Sequence, residues 1–161
     1  FVSNYDSAYH YWSLALEQWQ LTNNVRQEAK LYGNLALALK EQNKTFEAII
    51  YSRKAVDLRS KLNDSLQLGI GYNNLGIMYE RLGDTKKALF FHYKALDIRQ
   101  AINDSSRISS TYVNLGSVYN LSGKLDSSYY FIAKAVKLDT LSKDTWCSAI
   151  AYSILGEYYY L

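Results

Sequence analysis

The chain has few residues that interrupt helices and few cysteines that could form disulfides or bind metals. Among its 161 residues there is no proline and there are only 8 glycines. Because these two residues break helices most effectively, their scarcity favours long helices. There is one cysteine, Cys147, and no Cys-x-x-Cys motif. The sequence therefore excludes an internal disulfide framework and a cysteine-based zinc or redox site.

No stretch of the chain is long and apolar enough to span a membrane. The longest uncharged apolar stretch is WCSAIAYSILG from Trp146, about half of the roughly 20 residues that a spanning helix needs. Residues 1–30 lack a basic start followed by an apolar core, so no signal peptide is predicted. We expect no membrane insertion by this segment. The sequence leaves the compartment open, with the periplasm and the cytoplasm as the two alternatives.

The chain is built from repeats of 40 residues. The period is shown by YGNLALAL at 32, YNNLGIMY at 72, YVNLGSVY at 112 and YSILGEYY at 152. Self-similarity at a fixed period is typical of repeat arrays. The predicted single array comprises the second helix of a truncated repeat (1–24), full repeats (25–64, 65–104 and 105–144), and the first helix of a truncated repeat (145–161).

The spacing of apolar residues predicts two amphipathic helices in each repeat. After Tyr72, small or apolar residues follow at spacings of three, four and seven, which places them on one helical face. The same spacing begins again at Ala88 in the second helix of that repeat. We therefore predict no β-strand and helices over 6–22, 26–42, 45–62, 66–82, 86–102, 105–122, 125–139 and 145–160.

Glycine and aspartate recur at the ends of helices, and glycine also recurs inside them. Gly83 and Gly123 stand where a left-handed residue would end the first helix. Aspartates that would cap the next repeat recur at Asp64, Asp104 and Asp144. Gly76 and Gly116 instead lie inside a helix, where glycine costs about 1 kcal/mol relative to alanine. Their recurrence, with Ala36 in the same column, predicts helices that approach too closely for larger side chains.

These features resemble the tetratricopeptide repeat over essentially the whole chain. The family's pattern of aromatic, Leu, Gly and Tyr, then Ala, aromatic and Ala, is met by Tyr72, Leu75, Gly76, Tyr79, Ala88, Phe91 and Ala95. The unit is longer than the family's common length of about 34 residues and lacks its frequent proline. The 40-residue style resembles sensor regions of bacterial histidine kinases and transcriptional regulators. The resemblance implies an all-α, right-handed superhelical solenoid of antiparallel helical hairpins.

The resemblance also implies a binding surface on the concave side, lined by the first helices. A protein or peptide ligand would then contact Lys30, Asn34, Leu37, Glu41, Ile70, Asn73, Asn74, Ile77, Arg81, Ser110, Val113, Asn114, Ser117 and Leu121. Within this set, Asn34, Asn74 and Asn114 form one column. Amide groups could pair with a ligand backbone, or each could bridge neighbouring repeats. The sequence leaves both interpretations open.

Three other functions compete with peptide binding. A structural scaffold would associate with itself through apolar repeat ends. A chaperone-tail receptor would need a clamp of lysines, arginine and asparagines, but Gly33, Leu37, Asn73 and Ile77 stand at parts of it. Binding of nucleic acid by this segment is not expected, since the net charge is only +3. The basic column of Lys54, Lys94 and Lys134, extended by Arg59 and Arg99, is predicted to be a solvated outer face.

Catalysis has no support in the sequence. The only histidines, His10 and His92, fall on second helices of different repeats. No phosphate-binding loop, metal-ligand spacing or nucleophile motif is present, so we expect neither an enzyme nor a cofactor. His92 is interpreted as a packed or surface residue, and Cys147 has no basic partner that would activate its thiol.

Overall fold

The computed structural model describes residues 2–142 and 145–160. Its helices are α1 (Val2–Leu21), α2 (Val25–Glu41), α3 (Thr45–Lys61), α4 (Ser65–Arg81), α5 (Thr85–Ala101), α6 (Ser105–Leu121), α7 (Leu125–Ser142) and α8 (Thr145–Tyr160). Neither described range contains a β-strand. The predicted helices are confirmed to within a few residues at their ends, and α1 differs most because it already begins at Val2.

The turns explain why the repeat has 40 residues. Helices α2 to α6 are each 17 residues long, and only three residues separate each from the next. Every described turn of this kind contains one residue with positive φ, namely Asn23, Asn43, Asn63, Gly83, Asn103 and Gly123. Because such a residue ends a helix sharply, the turns stay short. The residues beyond the common unit therefore lengthen the helices.

Side chains at the end of these turns start the next helix. Asp64, Asp84 and Asp104 accept hydrogen bonds from backbone N–H groups three residues later, at 3.2, 3.1 and 3.3 Å. Asn24 makes the same contact at 3.1 Å to the N–H of Gln27. These contacts confirm capping by Asp64 and Asp104, while the expected cap Asp144 lies outside the described residues.

The helices pack as a solenoid of antiparallel hairpins. The first helices of the repeats are α2, α4, α6 and α8, and the second helices are α1, α3, α5 and α7. Each helix packs mainly against its neighbours in the chain, and in addition α4 contacts α6 and α6 contacts α8. Within the described ranges the second helices make no comparable contact with one another. The stack therefore curves toward its first helices, which line the inner side.

The columns that recur from repeat to repeat form the core. Leu35, Leu75 and Leu115 are at most 1% exposed, each at the same place in its hairpin. Aromatic rings stack within the hairpins, as in the Tyr79–Phe91 pair, whose ring centroids lie 5.4 Å apart. The core is thus repeated rather than single, as expected for an array in which each unit packs on the next. No helix among the described residues has the length and hydrophobicity to cross a membrane.

One prediction about the outer face is wrong. The lysines of the basic column do lie outside, where Lys94 Nζ sits 5.4 Å from the ring centre of Tyr72 and Lys134 Nζ sits 4.4 Å from that of Tyr130. Arg99 does not extend this column, because only 4% of it is exposed. Arg59 is half-buried. Both arginines belong to the junction between repeats, and the outer charge is correspondingly lower than predicted.

Candidate protein-binding surface

A cavity of about 500 Å³ opens on the inner side of the solenoid, between α4, α6 and α8. It is lined by Ile77, Glu80, Arg81, Ser110, Val113, Asn114, Ser117 and Ile154. Six of these residues belong to the predicted binding set. The two outside that set are Glu80 and Ile154.

Helical spacing explains how these residues come to share one cavity. Glu80 and Arg81 follow Ile77 by three and four residues on α4, so the three side chains project from one face. Ser110, Val113, Asn114 and Ser117 have the same spacing on α6. Because both helices have the same repeat register, their free faces lie side by side.

The cavity has an apolar floor and polar walls. Ile77, Val113 and Ile154 provide branched aliphatic side chains, and Val113 is only 5% exposed. Hydroxyl and amide groups come from Ser110, Ser117 and Asn114. This combination, apolar surface with a few hydrogen-bonding groups, is typical of sites that hold a ligand and fix its orientation.

Glu80 is a carboxylate without a cationic partner in this cavity. Its Oε1 accepts a hydrogen bond from Ser117 Oγ at 2.8 Å, and burial raises the pKa of its carboxyl above the usual value. The neighbouring Arg81 turns away, donating from Nη1 to the carbonyl oxygen of Lys40 at 3.2 Å. Among the described residues no basic group lies within 4 Å of the Glu80 carboxylate.

Beside the cavity, a polar network joins the second and third full repeats. Asn114 Nδ2 donates to Asn73 Oδ1 at 3.0 Å, and Arg99 Nη1 donates to the same oxygen at 3.4 Å. Arg99 also donates to the carbonyl oxygen of Arg107 at 2.9 Å and to the hydroxyl of Thr111. Asn114 therefore bridges repeats, which was one of the two interpretations of the asparagine column. Asn73 is 9% exposed and its amide oxygen is already engaged.

The other predicted residues lie along the same helices but not in this cavity. Lys30 and Asn34 line a separate cavity of about 370 Å³ at the junction of α2, α3 and α4. Leu37 and Leu121 are exposed, by 39% and 64%. Glu41 forms an ion pair with Lys40 at 2.9 Å, and the hydrogen bond from Lys40 lowers the pKa of its carboxyl. Ile70 and Asn74 are partly buried.

Two lining residues stand outside the predicted contact set for different reasons. Ile154 occupies the register position of Asn34, Asn74 and Asn114, so the 40-residue period alone could have placed it on this face. Glu80 lies three residues after Ile77 on the same free face. Its partial burial and its bond to Ser117 depend on the distance between α4 and α6, which no sequence pattern gives.

Side chains that could ligate a metal ion do not cluster in the described part of the chain. There, no three His, Cys, Asp or Glu side chains come close enough together to hold a metal ion. What the surface offers is apolar contact, hydrogen bonds and a few charges, which together suit non-covalent recognition.

The fold and the matched sequence point to one family of repeats. Residues 27–101 match the tetratricopeptide repeat. A search of curated proteins returned no significant match. Tetratricopeptide repeats are generally non-catalytic modules that bind proteins or peptides.

Solved structures share the architecture. BtubC (BKLC) from P. vanneervenii superposes with a TM-score of 0.82 at 26% identity, covering 88% of this chain and 59% of that one. The nearly identical TPR-like repeats of a Podosopora anserina protein assigned as a kinesin light chain superpose with a TM-score of 0.66 at 14% identity. That match covers 98% of this chain and 89% of the other. The chain thus spans little more than half the length of BtubC.

Proposed function

We propose that this tetratricopeptide array binds an extended protein or peptide segment along its first helices. The observation that carries the proposal is the cavity between α4, α6 and α8, where six predicted residues meet around an apolar floor. An extended ligand would place one apolar side chain over Ile77, Val113 and Ile154. The backbone of the ligand would form hydrogen bonds with Ser110 and with Asn74, which lies on the adjacent surface.

Glu80 favours ligands that bring a hydrogen-bond donor or a positive charge into the cavity. A partly buried carboxylate that lacks a cation gains from a ligand group that donates a hydrogen bond or carries positive charge. Since Arg81 is directed to the end of α2, the ligand itself would supply that group. The mechanism is non-covalent, and its selectivity rests on apolar contact beside one carboxylate.

We further propose that the array is the sensing or interaction region of a larger bacterial regulatory protein. The support is the resemblance of its 40-residue repeats to the sensor regions of histidine kinases and transcriptional regulators. In such a protein the ligand would act by changing the curvature of the stack. Because each hairpin contacts mainly its neighbours, a ligand that spans two junctions can shift their relative orientation.

The test uses a displayed library of extended peptides, selected on the immobilised 161-residue chain. Ile77→Arg places a charged side chain in the cavity and should reduce affinity for the selected peptides at least tenfold. Ile50→Arg is the matched control, because Ile50 is 56% exposed on the outer helix α3. The control should change affinity less than twofold.

Two outcomes would contradict the proposal. If no peptide is selected above background, the array does not bind extended segments of this kind. If Ile50→Arg abolishes binding and Ile77→Arg does not, the ligand lies on the outer face. Circular dichroism on both variants checks that each remains folded.

A second candidate function is self-assembly into a scaffold. It is favoured by apolar residues exposed on both terminal helices: Tyr11 (68%) and Leu21 (78%) on α1, and Tyr159 (71%) and Tyr160 (91%) on α8. Contiguous exposed apolar patches mark interaction surfaces. Sedimentation equilibrium over a hundredfold range of concentration decides this candidate. A constant monomer mass would remove it.

A further inference from the structure

Two arginines occupy the same place at successive repeat junctions. Arg59 is in the last turn of α3 and Arg99 in the last turn of α5, 40 residues apart. Each donates from Nη1 to a backbone carbonyl oxygen in the first turn of the following first helix, that of Gln67 or Arg107. The two junctions can therefore be compared group by group.

At the second junction the guanidinium is enclosed by acceptors. Arg99 Nη1 donates to Asn73 Oδ1, to the Arg107 carbonyl oxygen and to the hydroxyl of Thr111. The residue is 4% exposed. This arginine is used to hold two repeats together and is closed to a ligand.

At the first junction both side-chain acceptors are missing. The positions equivalent to Asn73 and Thr111 are held by Gly33 and Gly71. A β-carbon on Gly33 would come within 2.8 Å of Arg59 Nη2, so the guanidinium lies directly over the bare backbone. Its hydrogen bond to the Gln67 carbonyl oxygen, at 3.3 Å, is its one hydrogen bond to the described residues.

Arg59 also lines a cavity with an excess of positive charge. The cavity holds about 370 Å³ and is lined by Arg26, Gln27, Ala29, Lys30, Asn34, Arg59, Leu62, Asp64 and Gln67. Its one carboxylate, Asp64, already caps α4 by accepting from the Gln67 N–H at 3.2 Å. Three cationic side chains and three side-chain amides remain to face an incoming group.

We propose that this cavity binds an oxyanion, a carboxylate or a phosphate, with Arg59 as its principal donor and Arg26 and Lys30 at its rim. A planar guanidinium can give two parallel hydrogen bonds to such a group. Burial lowers the pKa of Arg59 although the nearby Asp64 carboxylate acts in the opposite direction, and a bound anion would stabilise the charged guanidinium further. The inference rests on the proposed function for the source of the anion, which is an acidic or phosphorylated residue of the ligand segment.

The pocket itself is tested with free anions, independently of any peptide. The probes are inorganic phosphate and acetate, titrated at constant ionic strength against chloride, and the readout is the NMR shift of the arginine side-chain Nε–H groups. Arg59 should shift saturably with at least one probe. Arg99 should not shift, which makes it an internal reference in the same molecule.

Two variants and one matched control make the assignment specific. Gly33→Asn provides at the first junction the acceptor that Asn73 provides at the second. Only the flexible end of Arg59 has to move to admit it, and the affinity for the anion should fall at least tenfold. Arg26→Gln with Lys30→Gln should weaken binding several-fold. Lys44→Gln with Lys61→Gln removes the same charge from exposed positions elsewhere and should leave binding within twofold.

The proposal is overturned if Arg59 shows no saturable shift, or if the Lys44 and Lys61 control loses as much affinity as the Arg26 and Lys30 variant. Tighter binding of phosphate would indicate a phosphorylated ligand residue, and tighter binding of acetate an acidic one. If Gly33→Asn does not fold, the Arg26 and Lys30 variant still tests whether the anion binds in this cavity. Failure of the peptide selection alone would leave a working anion pocket, so the two proposals fail separately.

Discussion

The imidazole ring of His92 lies against the backbone of Gly76, so closely that a β-carbon on the glycine would come within 2.5 Å of the ring. Gly116 has the same relation to Ile132, whose Cδ1 would lie 2.5 Å from the added carbon. Gly156, in the same column, has nothing within 4 Å. At Gly76 and Gly116 this register position faces the second helix of its own hairpin, and the 161 residues contain no such helix after Gly156.

This difference predicts opposite effects of one substitution. Gly76→Ala should lower the free energy of unfolding by about 1 to 3 kcal/mol, because the buried ring of His92 has to move. Gly156→Ala should raise it by up to about 1 kcal/mol, the gain in helix propensity without a clash. Urea denaturation of both variants measures the difference. A stabilised Gly76→Ala variant would show that the ring moves at no cost.

A second substitution tests the cause. The first full repeat has Ala36 and Ser52 at the two positions that Gly76 and His92 occupy in the next. Adding His92→Ser to Gly76→Ala reproduces that pair and should recover most of the lost stability. If the double variant is no more stable than Gly76→Ala alone, the contact with His92 is not what makes alanine costly.

The fold could be predicted because the 40-residue period repeats every local signal. Which side chains face each other in the folded array could not be predicted in this way. Arg99 follows Lys94 by five residues, which turns it roughly 140° around the helix, from the outer face toward the next repeat. Grouping both in one basic column ignored that rotation. Likewise, the contact between Gly76 and His92 joins two columns whose pairing depends on how the two helices of a hairpin are set against each other.

The candidate surface was predictable only in part for the same reason. Residues of α4 and α6 with one register were expected to lie on one surface, and Ile77 and Val113 do line one cavity. The 40-residue period does not predict where neighbouring helices separate enough to leave a cavity between them. Lys30 therefore belongs to a different cavity, and Asn73 is engaged in the network between the repeats.

The burial of His92 predicts a loss of stability in mild acid. The ring is fully buried, and burial, aided by Arg99, lowers its pKa from 6.5 to about 4. The folded state therefore binds fewer protons than the unfolded state between these values. Stability from this group is present above pH 6.5 and is lost as the pH falls toward 4, by about 1.4 kcal/mol per unit.

His92→Ile isolates this contribution, since Ile132 already packs against a glycine at the same place. Urea denaturation from pH 7 to pH 4.5 should show a weaker pH dependence for the variant than for the parent. The raised pKa of Glu80 acts with the opposite sign but is common to both proteins, so it cancels in the comparison. Parallel pH profiles would mean that His92 titrates normally.

The start of α3 offers a stabilising substitution. Its cap residue, Lys44, makes no side-chain hydrogen bond to the helix, whereas Asp64, Asp84 and Asp104 do so at the same place in the turn. Lys44→Asp should raise the free energy of unfolding by roughly 0.5 to 2 kcal/mol. Lys44→Asn separates the hydrogen bond from the charge, and if neither variant gains stability, the cap is not limiting there.

Asn73 and Asn74, in the second full repeat, should differ in how much they contribute to the stability of the ligand-free protein. Asn73 accepts hydrogen bonds from Asn114 and from the buried Arg99, so Asn73→Ala removes a partner from both. We expect it to lower the free energy of unfolding by about 1 to 3 kcal/mol. Asn74 is partly exposed, and Asn74→Ala should cost less than about 0.5 kcal/mol. Its effect should appear instead as weaker binding of the selected peptides. An Asn74→Ala variant that loses as much stability as Asn73→Ala would assign Asn74 to the junction between repeats and remove it from the binding surface.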